Sequence, residues 1–277
     1  MLRLTFIEGQ RFVSDALANG SHEAAVGPGA VKGCHVRQIY VSESYTSSEA
    51  YPALRDSARP LGLVPIVLSD HLFASVADTE SPQGIMAVIT YFDAALPELL
   101  KRPKGANRIL ILDGVADPGN AGSMIRTAEA AAFSGVIMSE GCADLYLPKT
   151  LRATMGSALR VPIMRGAALP AVVDELAAAG VSLFASSPTA RRNCFECEFP
   201  EGDLALVIGG EAFGVGPEVL KRCSGTLSIP MPGGAESLNA GVAAGILMYE
   251  LVRRDLSYGG ALRHSREAGP PPGVRIP

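Results

Sequence analysis

Arg126, Glu129 and Glu211, with three short polar side chains, Asn120, Ser237 and Asn239, are the residues whose types and spacing could do chemistry. They fall in three segments, residues 109–138, 204–220 and 227–251. Each joins an apolar, β-rich run to a glycine-rich polar turn and then to a helix of small residues. Three such turns can meet at one site. In the first, Asp113 ends a strand, Asp117-Pro118-Gly119-Asn120 makes the turn, and a helix is expected over 122–133 with Ile125, Ala128 and Ala132 on one face. Asn120 can cap that helix. Arg126 and Glu129, at i,i+3 spacing, are expected to lie together on another face. This is either a cap beside a solvated ion pair or a guanidinium held at the carboxyl end of a strand, where open α/β sheets place their ligands.

The second turn, Gly209-Gly210-Glu211-Ala212-Phe213-Gly214-Val215-Gly216, follows the apolar run 204–208 directly. It lacks the G-x-G-x-x-G spacing of a dinucleotide fingerprint, and no phosphate-loop lysine follows. Pro217 suits a first helical position. The glycines would let a flat ligand lie against bare backbone. The third turn, Ile229-Pro230-Met231-Pro232-Gly233-Gly234, has two prolines and two glycines after a strand. Ser237-Leu238-Asn239 then enters a helix that Ser237 or Asn239 could cap. Ala240, Gly241, Ala243, Ala244 and Gly245 leave this helix nearly bare, which permits close packing against another segment or another subunit.

These turns need a scaffold. At 277 residues, with 48% hydrophobic and 19% charged residues, the chain can form one large or two smaller compact domains. The runs 109–112, 135–138, 181–185, 204–208 and 226–229 are unbroken and apolar, as in a parallel sheet covered on both faces by helices. The first 90 residues alternate in an α/β manner. Strands are expected at 4–8, 37–42, 64–68 and 85–91, helices at 9–19 and 48–59, and a further helix opens at Ser69-Asp70. Residues 21–33 read as a loop. A charged, proline-bearing linker at 96–107 separates an N-terminal domain, 1–95, from a second domain, 108–260, and 261–277 read as a flexible tail.

Composition narrows the function. No signal peptide is visible, and the most apolar late stretch, 237–249, is too short and too rich in Gly and Ala to span a bilayer. Five cysteines form no even framework. The lone Cys194-Phe195-Glu196-Cys197 reads as reduced thiols of a cytoplasmic protein, with no metal expected. The net charge of −4 gives no global basic signature, although Arg253, Arg254, Arg263, Arg266 and Arg275 make the C-terminal stretch locally basic. Nucleic-acid binding must therefore be argued from the site.

The ordered trio N-x-G-S-x-x-R-T-A from Asn120, I-G-G-E-x-x-G from Ile208 and I-P-M-x-G-x-x-x-S-L-N from Ile229 resembles the SpoU/TrmH branch of the SPOUT methyltransferases. Leu151-Arg152-Ala153-Thr154-Met155-Gly156-Ser157-Ala158 is similar to that family too. Phe6-Ile7-Glu8-Gly9-Gln10-Arg11 and Thr79-Glu80-Ser81-Pro82-Gln83-Gly84 resemble the substrate-binding domain of its ribosomal-RNA enzymes. The likeness spans residues 4 to 253. It implies an α/β fold with a deep trefoil knot in a parallel-sheet SPOUT domain, preceded by a smaller α/β RNA-binding domain. It also implies a homodimer with active sites at the interface, and methyl transfer from S-adenosylmethionine to a ribose 2′-hydroxyl of RNA, ribosomal RNA before transfer RNA. By motif position, Gly209, Gly210, Ile229, Met231, Ser237 and Leu238 would bind the cofactor. Arg126 would activate or orient the hydroxyl, and Asn120, Glu211, Ser237 and Asn239 would surround it, with Glu129 as a neighbour. An RNA-facing patch of Arg126, Arg152, Arg160 and the basic C-terminal residues is expected. The helix departs from the family's S-L-N-V-S, reading Ser237-Leu238-Asn239-Ala240-Gly241. A nucleotide-linked oxidoreductase and a catalytically silent RNA-binding or assembly protein are the rival readings.

Overall fold

The computed structural model describes residues 4–19, 34–91, 93–101 and 105–259. The loop expected at 21–33, the tail, Arg263, Arg266, Arg275 and the side chain of Arg254 lie outside the described residues. The N-terminal elements are β1 (Leu4–Glu8), α1 (Gln10–Asn19), β2 (Cys34–Ser42), α2 (Glu43–Thr46), α3 (Ala50–Ala58), β3 (Ile66–Leu68), α4 (Asp70–Val76) and β4 (Ile85–Tyr91). They form a four-stranded sheet in the order β1-β4-β2-β3. β4 is antiparallel to both neighbours, and β3 runs parallel to β2. α1 buries Phe12, Val13, Ala16 and Leu17 with Ile7, Ile39 and Ile89 of the sheet. Ser69 caps α4, its side chain accepting from the N–H of Leu72.

The second set of elements is α5 (Leu96–Leu99), β5 (Arg108–Asp113), α6 (Pro118–Ala130), β6 (Gly135–Ser139), α7 (Pro148–Thr154), β7 (Ile163–Ala167), α8 (Leu169–Ala178), β8 (Ser182–Ser186), β9 (Leu204–Gly209), α9 (Pro217–Leu220), β10 (Gly225–Leu227) and α10 (Ala240–Gly259). Six strands pair in the order β10-β8-β9-β5-β6-β7, every neighbouring pair parallel. Burial on both faces explains the unbroken apolar runs. Leu110, Leu112, Leu206 and Ile208 pack on the side of Met124, Ile125, Leu247 and Met248, from α6 and α10. The alternate residues Ile109, Ile111, Ala205 and Val207 pack with Val172, Val173 and Leu176 of α8.

Several expectations need correction. Leu96 and Leu99 fall within the expected linker, yet form α5 and are buried against the second sheet. β7 was not expected: it is an edge strand carrying Arg165 and Gly166, so no apolar run marks it. α6 starts at Pro118, four residues before 122, and ends at Ala130. Ala132 therefore lies beyond it, exposed and with φ 56°.

The two sheets are joined through side chains. Tyr91 stacks on Tyr146 with ring centroids 3.4 Å apart, and the Arg165 guanidinium lies over both rings. Thr5 donates its hydroxyl to the carbonyl of Tyr146 at 2.9 Å. Arg160 Nη1 meets Asp15 of α1 at 2.8 Å, and Arg152 pairs with Asp78.

Candidate active site

The turns after β5, β9 and β10 open at the carboxyl ends of their strands. Connections leave β5 toward β6 and β7, whereas β8 and β10 lie on its other side, so the order reverses there. Such a reversal opens a crevice for ligands. Asp113 fixes the distance between the first two turns. Its carbonyl accepts the Gly210 N–H at 2.8 Å and its Oδ2 accepts the Gly216 N–H at 2.7 Å. Only glycine fits at 209 and 210. An added Cβ at Gly209 would stand 2.0 Å from the Gly214 carbonyl carbon, and one at Gly210 would stand 2.2 Å from the Gly114 oxygen.

Asn120 is not a helix cap. Asp117 takes that position, its Oδ1 accepting the Asn120 N–H at 2.7 Å, and Pro118 fills the first helical position. The Asn120 side chain is thereby released to bridge the other turns. Its Nδ2 donates to Glu211 Oε1 at 2.5 Å, and its Oδ1 accepts from Asn239 Nδ2 at 3.0 Å. Asn239 in turn caps α10, its Oδ1 accepting the Val242 N–H at 3.2 Å. One continuous chain, Glu211–Asn120–Asn239, thus ties all three turns together. Each amide has a single orientation that satisfies both of its neighbours.

Beside this chain lies a cleft of about 470 Å³. All six residues expected around a cofactor, Gly209, Gly210, Ile229, Met231, Ser237 and Leu238, line it, and so do Glu211 and Asn239. Leu227, Ile229 and Leu247 give it apolar walls, Gly209 and Gly210 a bare backbone wall, and Glu211, Ser237 and Asn239 a polar end. That combination fits a ligand with a flat ring system and a charged tail, at the ordinary size of a cofactor pocket. Ser186, Ser187 and Pro188 also line the cleft and were not expected. The available signal was a serine-serine-proline turn directly after an apolar strand.

Arg126 is exposed on α6, does not line the cleft, and makes no hydrogen bond or ion pair with any described residue. Of the two alternatives for this helix, the solvated Arg126–Glu129 pair is not among the ion pairs of the described residues. Glu129 instead grips Arg160, whose Nη2 donates to Oε2 at 2.9 Å, and this bonding holds the Glu129 carboxyl below its usual pKa. The expected basic patch is correspondingly smaller: Arg160 is taken by Glu129 and Asp15, and Arg152 by Asp78. The bare helix α10 is explained in part by α6. A Cβ at Gly241 would come within 2.8 Å of Ser123 Oγ and 3.1 Å of Asn239 Oδ1, so this departure from the family pattern sits where α10 lies against α6. The other side of α10 leaves Val242 and Tyr249 exposed. Cys194 and Cys197 are both buried, and no metal-binding cluster occurs among the described residues.

The SpoU rRNA Methylase family model matches residues 107–249. The chain is 41% identical over 192 residues to the 23S rRNA (guanosine(2553)-2′-O)-methyltransferase RlmP of Bacillus subtilis, across 69% of this chain and 73% of that protein. It is 32% identical over 221 residues to the 23S rRNA (guanosine-2′-O-)-methyltransferase RlmB of Coxiella burnetii, across 78% and 87% of the two chains. Among solved structures it resembles the SpoU methyltransferase AviRb from Streptomyces viridochromogenes in complex with AdoMet. The TM-score is 0.77 at 27% identity, covering 91% of this chain and 90% of that one. The AdoMet-bound rRNA methyltransferase from Sinorhizobium meliloti gives a TM-score of 0.76 at 26% identity, with coverages of 92% and 88%.

Proposed function

The chain belongs to the SpoU rRNA methylase family, and from that premise we propose that it methylates a ribose 2′-hydroxyl of ribosomal RNA, using S-adenosylmethionine. The observation that carries this reading is the Glu211–Asn120–Asn239 chain at the polar end of a glycine-walled cleft. S-adenosylmethionine supplies an electrophilic sulfonium methyl group. Gly209, Gly210, Ile229, Met231, Ser237 and Leu238 hold it, the first two through backbone. Asn120, Glu211, Ser237 and Asn239 orient the groups that react, so that attack is in line.

A free 2′-hydroxyl is a poor nucleophile and must share or lose its proton. An arginine, with a pKa above about 12, is a poor base. Arg126 therefore binds the phosphate beside the target ribose and polarises the hydroxyl, a role supported by its having no partner among the described residues. Arg126 stands outside its own cleft, and α10 exposes Val242 and Tyr249. Both features support a homodimer in which the partner's Arg126 completes each site. The return of the chain from the edge strand β10 to α10 against α6 supports the threading of a knot. The N-terminal domain, 1–95, which carries the first sheet, serves as the RNA-binding domain and 108–260 as the methyltransferase domain, with 96–107 between them. No helix among the described residues is long and apolar enough to cross a membrane, which is consistent with work on ribosomal RNA in the cytoplasm.

The test uses purified protein, methyl-labelled S-adenosylmethionine and ribosomal RNA lacking this modification. Label in alkali-resistant dinucleotides is expected, because a 2′-O-methyl blocks alkaline cleavage. Label confined to bases would refute the ribose assignment.

A further inference from the structure

A second cleft, of about 290 Å³, opens where α1 and the loop before β4 face the end of α7. The two N-terminal stretches singled out in the sequence meet there. Glu8 uses both carboxylate oxygens, accepting the Asp78 N–H at 3.0 Å and the Thr79 hydroxyl. Gln83 Oε1 accepts the Gln10 N–H at 2.8 Å and so holds the start of α1. Arg11, on the rim, makes no hydrogen bond or ion pair with any described residue. Arg152 reaches the cleft from α7 and pairs with Asp78, but the two side chains are 40% and 39% exposed, so the pair is easily exchanged. Met155 closes α7 at φ 50°, one of two non-glycine residues with positive φ among the described residues, and its side chain is 44% exposed. That conformation is an ordinary helix ending, and it leaves an apolar side chain exposed at the lip of the cleft.

We propose that this cleft seats one unpaired nucleotide of the substrate RNA, next to the one that is methylated. Arg11 and Arg152 take its phosphate, and its base lies against Phe12 and the Met155 thioether. Two arginines above an apolar floor suit a single-stranded nucleotide, and the neighbouring carboxylates of Glu8 and Asp78 are already bonded within the protein. The inference rests on the RNA-methylating reading, and it deepens that reading by locating a subsite. α7 connects the two places. Gly122 of α6 packs so closely on α7 that an added Cβ would stand 2.4 Å from Ala153 Cβ. Arg126 lies one turn beyond Gly122 on the same side of α6. A strand leaving the cleft over the end of α7 would run toward the side of α6 that carries Arg126. In the free protein the Asp78 carboxylate holds Arg152 where the phosphate goes.

The test measures binding of the full-length protein to an unmodified 23S ribosomal RNA transcript across a salt series, together with KM for methylation. Arg11→Ala and Met155→Ala are each expected to weaken binding and raise KM about tenfold, with S-adenosylmethionine affinity unchanged. Arg11→Ala also flattens the log–log salt slope by about 0.7. Asp78→Asn is expected to tighten binding, because it frees Arg152. A merely structural Asp78–Arg152 contact predicts the opposite sign. Unchanged affinity and slope in Arg11→Ala, or weaker binding in Asp78→Asn, would overturn the subsite. A wild-type protein that binds the transcript with these variant effects but transfers no methyl group would instead sink the methyltransferase reading and leave the subsite standing.

Discussion

Both ends of the Asn239 amide are used: Oδ1 caps α10 and Nδ2 holds Asn120. Asn239→Asp separates these roles. Aspartate caps as well as asparagine does, but it presents an acceptor to the acceptor Oδ1 of Asn120. Thermal stability should stay within a few degrees, while turnover should fall about a hundredfold as the three turns lose register. Equal loss of stability and turnover would mean that Asn239 is only a cap. Arg126→Ala should abolish methylation with S-adenosylmethionine affinity, measured by calorimetry, nearly intact. Near-normal methylation would remove Arg126 from the mechanism. The residue types of this network were legible in the sequence, but their roles were only partly so. In sequence, Asn120 competes with Asp117 for the cap position, and only the start of α6 at Pro118 assigns it to Asp117. Asp113 does end β5, but nothing local in the sequence marks its carboxylate as one that reaches the backbone of residue 216.

The elements of the second sheet were legible wherever burial on both faces made a strand uniformly apolar, as in β5 and β9. β7 escaped because an edge strand has one neighbour and tolerates Arg165 and Gly166. α5 escaped because four residues are too few to show a helical period. The contact between α6 and α7 was invisible in the sequence, since a lone glycine inside a helix does not name its neighbour. Gly122→Ala tests that contact. Its Cβ would meet Ala153 Cβ at 2.4 Å and the Thr150 carbonyl oxygen at 3.0 Å, which are main-chain or short, inflexible groups. A loss of about 1–3 kcal/mol is expected by urea denaturation, against the usual small gain for Gly→Ala in a helix. A stabilised variant would show that α6 and α7 can move apart freely.

For the whole molecule, acid–base pairs across the two sheets matter as much as the cleft. Asp78 and Asp15 engage Arg152 and Arg160 across the sheets, and Glu129 engages Arg160 within the second, so these two arginines are not free for RNA. Arg126 has no ion pair among the described residues and stands outside its own cleft, so a subunit-mixing experiment decides how the sites are built. Arg126→Ala and Leu238→Trp, which fills the cleft from an exposed position, should each be inactive alone. If the partner's Arg126 completes each site, mixed dimers contain one site with neither defect, and activity should return to about a quarter of the wild-type level. Failure to recover any activity would mean that each chain supplies its own arginine. The most direct measurement on the central claim is a map of 2′-O-methyl positions on ribosomal RNA from cells with and without this protein. The account predicts that one ribose methyl disappears with the protein and returns with the wild-type gene but not with Arg126→Ala. Identical maps from the two cells would contradict it.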